Sequence, residues 1–300
     1  MEKKLTIGIV TMNREEQLAK ALQSCLITAL PDETEFVVID NASSDNTEKV
    51  VEKLLANSGY KYYYEKLQEN IGCGRGRNYA FSKAHGQYYY SLDDDAVIDK
   101  GCKDFFTRAI EILDKNTEIV TLTTQIYDTA WKSNRLDETS AKLSSDLYEC
   151  KMFCGGSHFL RRSFFTSEPY FSNNYGYEEI PSSLYVADAG LQNVFCSSIR
   201  IIHMPRINKW NHSDEKNHTL LINECVLQYA IKKSVYPKII LPILYMAYLA
   251  RCNRYLKQIP DWRKRANDLY KQTEDSTKML RRIQLKTVAS LYKKFGNEIF

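Results

Sequence analysis

An alternation in the first hundred residues constrains this chain most. Four short apolar runs, at 5–11, 35–40, 60–64 and 87–92, are rich in Val, Ile, Leu, Phe and Tyr. Between them, apolar residues recur at helical spacing, as in Leu18, Ala21, Leu22, Cys25, Leu26 and Ala29. Unbroken apolar runs of this length suit strands covered on both faces, and strand–helix alternation suits parallel neighbours joined by crossovers. The expected fold is α/β, a mostly parallel central sheet flanked by helices. Ligands of such sheets gather beyond the carboxyl ends of the strands. Thr11 and Asn13, Asp40, and the run Asp93, Asp94, Asp95 all fall at those ends.

The rest of the chain reads differently. Strands are expected at 118–127, 151–160 and 199–203, with a polar loop at 128–150. The last third is expected to be helical, with apolar periodicity at 220–232 and 239–256, split at Pro237. Leu280, Ile283, Val288, Leu291, Tyr292 and Phe295 mark a further amphipathic face. Charge supports the same division. Residues 1–199 hold 21 Lys/Arg against 29 Asp/Glu, whereas 200–300 hold 20 against 8, so a net +4 conceals −8 in front and +12 behind. The expected domains are therefore 1–205, with a first half at about 1–99 and a second at about 100–205, and a basic helical region at 206–300. Hydrophobic residues at 44% and charged residues at 26% exclude disordered and collagen-like classes. The eight cysteines form no CxxC pair, which reads as free thiols in a reducing cytoplasm. The opening residues carry no cleavage-site pattern, so no secretory leader is expected. The longest apolar run, 239–250, is too short for a bilayer span of ~20 residues.

Several constellations could carry chemistry. Three adjacent carboxylates, Asp93–Asp95, repel one another unless a cation neutralises them, and hard oxygen donors suit Mg2+ or Mn2+. The stretch from Asn70 through Gly72 and Arg77 to Asn78 offers glycines for close backbone approach, a helix start and arginines, a combination suited to phosphate. It lacks the third glycine of a dinucleotide fingerprint, because Arg77 stands there. Asp40 could accept a bond from a nucleotide base or ribose, or simply close a turn. Glu178 and Glu179 follow an aromatic loop, where an apolar setting can raise a carboxyl pKa and make it a base. His203 ends an apolar strand and becomes a metal-ligand candidate if Asp95 lies beside it.

In this order the motifs resemble family 2 glycosyltransferases of the GT-A fold, whose central sheet is Rossmann-like. The resemblance rests on Val10-Thr11-Met12-Asn13-Arg14, on Asp40-Asn41-Ala42-Ser43-Ser44-Asp45 with Thr47, on Asn70, Gly72 and Arg77-Asn78, on the strand ending in the DxD motif at Asp93–Asp95, and on Tyr177-Glu178-Glu179. It is dense over 5–99 and thin beyond 203. It implies an inverting, hexosyltransferase-type transfer from a nucleotide-diphosphate sugar, a UDP-sugar foremost, in bacterial polysaccharide or other glycoconjugate synthesis. By that likeness Thr11, Asn13, Asp40, Asn70, Gly72, Arg77, Asp93 and Asp94 bind the nucleotide sugar, while Asp95 and His203 hold Mn2+ or Mg2+. Glu179 is the base with Glu178 its rival, and Gly155 and Gly156 flank the acceptor. The implied acceptor is a glycan, a lipid-linked sugar or a protein, with no nucleic acid. The chain departs from the pattern at Met12, where an aromatic is usual, at Glu179, where Asp is usual, and at Pro181. A non-catalytic glycan- or protein-binding subunit on the same fold is a second reading. A sugar nucleotidyltransferase is a third, disfavoured because residues 10–16 contain neither Gly nor Lys. The basic tail suggests peripheral contact with an anionic membrane at its cytoplasmic face, or a homo-oligomer contact.

Overall fold

The computed structural model describes residues 4–137, 141–174, 176–205 and 214–300. The front of the chain alternates as expected: β1 (Leu5–Thr11), α1 (Glu15–Leu26), β2 (Thr34–Asp40), α2 (Thr47–Leu55), β3 (Lys61–Lys66), α3 (Cys73–Ser82) and β4 (Tyr88–Leu92). Then come β5 (Ala96–Ile98), α4 (Phe105–Lys115), β6 (Ile119–Asp128), β7 (Ser133–Asn134), β8 (Leu147–Glu149), β9 (Ser157–Arg161), α5 (Ile180–Asp188) and β10 (Gln192–His203). The helices α6 (Asp214–Val235), α7 (Leu241–Tyr255), α8 (Trp262–Gln272), α9 (Glu274–Lys278) and α10 (Leu285–Phe295) follow.

One sheet runs β3-β2-β1-β4-β9-β6-β10-β5. Its first four strands are parallel, while β9 and β5 are antiparallel to their neighbours. The parallel half follows from sequence: β1 and β2 are apolar enough to be covered on both faces, and Leu5, Ile7, Ile9, Phe36 and Val38 are fully buried. Each such side chain contributes about 1.5–3 kcal/mol when taken from water. Tyr90 of β4 packs its ring on Phe105, Phe106 and Phe159, which ties α4 and β9 to the same core.

Several local expectations are corrected. The polar stretch 128–150 contains the short strands β7 and β8, which pair with β6 and β10. Only Ser157–Arg161 of the expected 151–160 strand is extended, because Gly155 and Gly156 form a turn first. The strand expected at 199–203 is the end of a twelve-residue β10, whose register shifts across an irregularity between Cys196 and Arg200. Helix α8, rich in Arg and Lys, carries too few apolar residues to stand out in sequence. Leu280 and Ile283 precede α10 rather than belonging to it.

The helical region is more than an appendage. Phe171, Ile180 and Leu184 share a core with Ile231, Val235, Tyr236, Leu244, Val288, Leu291 and Ile299. A second small core, with Cys225, Val226, Cys252, Leu256 and Ala266, joins α6, α7 and α8. The helical region therefore braces α5, the helix that follows Glu179. The boundary expected at 205/206 adjoins 206–213, which lies outside the described residues. All eight cysteines are free, with Cys25, Cys196, Cys225 and Cys252 buried and the others partly so. Among the described residues, no helix is long and apolar enough to cross a membrane.

Candidate active site

The carboxyl ends of β1 and β4, the start of α3 and the end of β10 border a cavity of about 650 Å3. Its wall includes Thr11, Arg14, Asn70, Gly72, Arg77, the three aspartates 93–95 and His203. Strand register explains the meeting of residues far apart in sequence. His203 pairs across the sheet with Ala96 on β5 and with Asp128 on β6. That register sets its imidazole between two carboxylates. Nε2 lies 3.2 Å from Asp95 Oδ1, and Nδ1 lies 3.0 Å from Asp128 Oδ2. Asp128 also accepts from Arg135 at 2.5 Å, which holds the carboxylate and the ring in place. Burial alone would lower the His203 pKa, but the bond to Asp95 and its charge raise it.

The three aspartates are not equivalent. Asp93 accepts from Arg77 Nη2 at 2.7 Å. Asp94 accepts from Thr11 Oγ1 at 2.7 Å and from Arg14 Nη1 at 2.9 Å. Asp95 accepts from the same Arg14 nitrogen at 2.5 Å. Burial pushes Asp94 up to about 6 against the pull of Arg14. Asp95 is held below the usual carboxylate range: burial would raise it, but His203 and Arg14 outweigh that. Donor atoms of Asp93, Asp95 and His203 all lie within 4.8 Å of one another. A six-coordinate hard cation with bonds of about 2.1 Å sets its ligands roughly 3.0–4.2 Å apart, so side-chain shifts of about 0.6 Å or less bring these three atoms to bonding distance. The donor set therefore fits Mg2+ or Mn2+, with Asp93 joining the expected pair.

Arg77 links this cluster to the two glutamates. It is buried on α3, and its Nη1 lies 3.4 Å from Glu179 Oε1 and 3.8 Å from Glu178 Oε2. The glutamates differ in occupation. Glu178 Oε1 already accepts the Gly176 N–H at 2.8 Å and so anchors its own loop. Glu179 stands at the start of α5, where Pro181 occupies the first turn. Burial, then the Glu178 charge, push Glu179 up to about 8, with Arg77 opposing. Gly155 lies directly against it: a Cβ there would come within 2.1 Å of Glu179 Oε1. A Cβ on Gly156 would stand 3.2 Å from Asp93 Oδ2. The two glycines thus touch opposite ends of the Arg77 network.

The remaining expected residues fall less directly on the cavity. Asp40 is buried, and its two oxygens accept from the Ser43 N–H and the Tyr64 hydroxyl, so it closes the turn after β2. Its neighbour Asn41 lines the cavity instead. Asn13, with φ 54°, accepts from the Ser44 N–H and braces the same turn. Asn70 and Gly72 do line the cavity at the start of α3. The glycine stretch is corrected, because α3 begins at Cys73 and runs through Gly74 and Gly76. Gly72 has φ 85°, and a Cβ there would sit 2.8 Å from Asn174 Cα. At Gly74 a Cβ would lie 2.2 Å from Phe171 O. At both positions the close approach that glycine permits is to the chain's own 171–174 backbone, while Gly72 also borders the cavity. Arg75 likewise turns to Ile71 and Asn174. Sequence reasoning missed Arg14, Asn41, Asp128 and Arg135 as site residues. All but Arg135 lie at or just past a strand's carboxyl end, so the rim argument that singled out Thr11 and Asp93 could have found them.

Residues 6–167, more than half the chain, match the profile of glycosyl transferase family 2. The chain belongs to that family. Among characterised relatives, it is 32% identical over 99 residues to the poly(ribitol-phosphate) β-N-acetylglucosaminyltransferase TarS of Staphylococcus aureus. It is also 32% identical over 92 residues to a GalNAc(5)-diNAcBac-PP-undecaprenol β-1,3-glucosyltransferase of Campylobacter jejuni. These alignments span about a third of this glycosyltransferase, but only 17% and 29% of those relatives. Solved structures extend the likeness of fold. TarS 1–349 of S. aureus in complex with UDP-GlcNAc superposes with TM-score 0.64 and 16% identity, covering 95% of this chain and 83% of that one. The mannosyltransferase PcManGT of Pyrobaculum calidifontis, in complex with GDP-Man and Mn2+, gives 0.59 and 16% over 99% and 88%. The GT-A fold expected from sequence, with its helical C-terminal region, is therefore the fold of this family member.

Proposed function

We propose that this family 2 glycosyltransferase moves a sugar from a nucleotide-diphosphate donor, a UDP-sugar foremost, to an acceptor hydroxyl with inversion and with a divalent cation. The observation that carries this reading is the meeting of Asp93, Asp95 and His203 in one cavity, with Arg77 joining Asp93 to Glu179. Asp93, Asp95 and His203 would hold Mn2+ or Mg2+, which when bound stabilises charge on a leaving diphosphate. Thr11, Asn70, Gly72 and Asp94, as cavity residues, bind the nucleotide sugar. Asn13 and Asp40 act beneath them by shaping the base and ribose side of the wall. The start of α3, with Gly72, Cys73 and Arg77 on the cavity wall, brings the positive end of the helix dipole to the phosphate side.

Glu179 serves as the base and Glu178 as its support, because Glu178 is already committed to Gly176. Gly155 and Gly156, on the acceptor side, let the Glu179 and Asp93 carboxylates pack directly against the 154–156 turn. The acceptor O–H gives its proton to Glu179 as its oxygen attacks the anomeric carbon from the far side. The bond to the diphosphate breaks, and its electron pair leaves with the phosphate oxygen. A carboxylate whose pKa sits near 8 is matched to such a transfer near neutral pH. Residues 1–205 form the donor and catalytic unit, with the donor half at about 1–99, and 206–300 its basic helical support. Free cysteines agree with a reducing, cytoplasmic setting. The acceptor is a glycan, lipid-linked sugar or protein of a polysaccharide or glycoconjugate route. Relatives named for poly(ribitol-phosphate) and undecaprenol-linked acceptors support that class.

The test is release of nucleotide diphosphate from a panel of UDP- and GDP-sugars, with and without Mn2+, with products followed by mass. Asp95→Ala should abolish metal-dependent nucleotide binding by calorimetry. Glu179→Gln should keep that binding and lose transfer. Metal-dependent binding unchanged in Asp95→Ala removes the metal assignment. No release from any donor, with tight glycan or protein binding, favours the non-catalytic reading.

A further inference from the structure

We propose that α7 docks this protein on an anionic lipid surface, lying flat with its apolar side against the acyl boundary and its basic end among the headgroups. Helix α7 packs chiefly against α6. Its inward face is Leu244, Tyr248 and Cys252, spaced four apart, of which Leu244 and Cys252 are buried. The opposite face is apolar yet exposed. Ile239, in the turn leading into α7, is 71% exposed, Ile243 49%, Met246 65% and Leu249 41%. Ile239, Ile243, Met246 and Ala250 follow one another at helical spacing, so they form one continuous stripe. Scattered exposed apolar residues need no explanation, but a stripe three turns long does.

The same face then becomes basic. Asn253 and Arg254 continue the stripe and are exposed, exposed Lys257 follows in the turn just past the helix, and Lys238 flanks the other end. Residues 225–260 contain six Lys or Arg and no Asp or Glu. An interfacial helix combines these features: an apolar side, a cationic rim and no acidic residue to repel anionic headgroups. The charge pattern also disfavours a second copy as the occupant. A two-fold contact through this face would give Lys238, Arg254 and Lys257 of each copy no acidic residue of the other copy's stripe to pair with. An anionic surface complements the patch where a copy of it does not. This inference stands apart from the donor chemistry, because none of these residues borders the catalytic cavity.

Flotation of the full chain with vesicles tests it. Vesicles of phosphatidylcholine containing phosphatidylglycerol should carry the protein up the gradient, and phosphatidylcholine alone should not. Ile243→Glu with Met246→Glu should weaken that binding about tenfold, and Arg254→Glu with Lys257→Glu should do the same. Raised salt should weaken the wild type as well. All four positions are exposed, so unchanged melting and nucleotide binding will show that the variants remain folded. Three results overturn the proposal: no flotation, flotation that neither pair alters, or equal flotation on neutral vesicles. Light scattering that shows a dimer split by Ile243→Glu with Met246→Glu, without lipid binding, assigns the stripe to a second copy instead.

Discussion

Replacing Gly155 by Ala probes the centre of the site with a single methyl group. The Gly155 backbone lies outside the left-handed region, so the substitution brings no backbone strain and acts only through space. The new Cβ would stand 2.1 Å from Glu179 Oε1 and 3.0 Å from Arg77 Nη1. Ordinary contact begins at 3.4 Å, so the carboxylate must retreat by roughly 1.3 Å or the 154–156 turn must open by as much. Overpacking of this size costs about 1–3 kcal/mol, which in a chain this long lowers the melting temperature by only a few degrees. A base displaced by ~1 Å costs on the order of 100-fold in rate. The expected variant is therefore folded, binds nucleotide diphosphate and Mn2+ normally, and transfers sugar about 100-fold more slowly. Gly156→Ala is the natural comparison. Its Cβ meets Asp93 Oδ2 at 3.2 Å and Ile126 Cδ1 at 3.3 Å, a tight fit rather than a collision, so its loss should be far smaller. Initial rates of nucleotide-diphosphate release, with calorimetry and thermal melts of both variants, decide the matter. Wild-type turnover in Gly155→Ala would refute the assignment of Glu179 as the base.

Two further predictions concern charge. Glu179 holds its proton more tightly when folded, at about 8, than at its ordinary value of 4.5. Between those values the folded state carries the extra proton, so stability is full below about 4.5 and falls as pH rises toward about 8. Glu179→Gln should remove that slope, and melts at both ends of the window should then differ less than in the wild type; an unchanged difference would show that the carboxyl is not raised. Arg14 now neutralises Asp94 and Asp95, so Arg14→Met should tighten Mn2+ binding in the absence of nucleotide. The expected gain is about tenfold, the worth of one partly exposed charge-assisted contact; weaker or unchanged Mn2+ binding by calorimetry would show that Arg14 and the cation do not compete.

The aspartate run illustrates how far sequence reaches. Three adjacent carboxylates after an apolar strand required a positive partner, and their place on the sheet rim followed from strand–helix alternation alone. The partners were not legible. Arg14 and Arg77 neutralise the carboxylates because the loop after β1 and helix α3 deliver them from separate parts of the fold. Glycines were harder still. A glycine permits close approach but does not say to what, and Gly72 and Gly74 approach the chain's own 171–174 backbone, whereas Gly155 approaches the Glu179 carboxylate. Asp40 shows the same limit, since its strand-end position suited either a ligand or a turn, and Ser43 with Tyr64 claimed it.

The sequence by itself determined the parallel half of the sheet, the rim on which chemistry gathers, the family, and the charge division between front and tail. Those properties are carried by local periodicity and by residues close along the chain. Only the tertiary structure decided that His203 faces Asp95, that Arg77 joins Asp93 to Glu179, and that α7 leaves an apolar stripe uncovered. Each of these depends on strand register or helix packing across a hundred residues or more, or on which face a neighbouring helix covers. A one-dimensional pattern holds no record of register, because moving a strand by one residue keeps its composition and reverses every side chain.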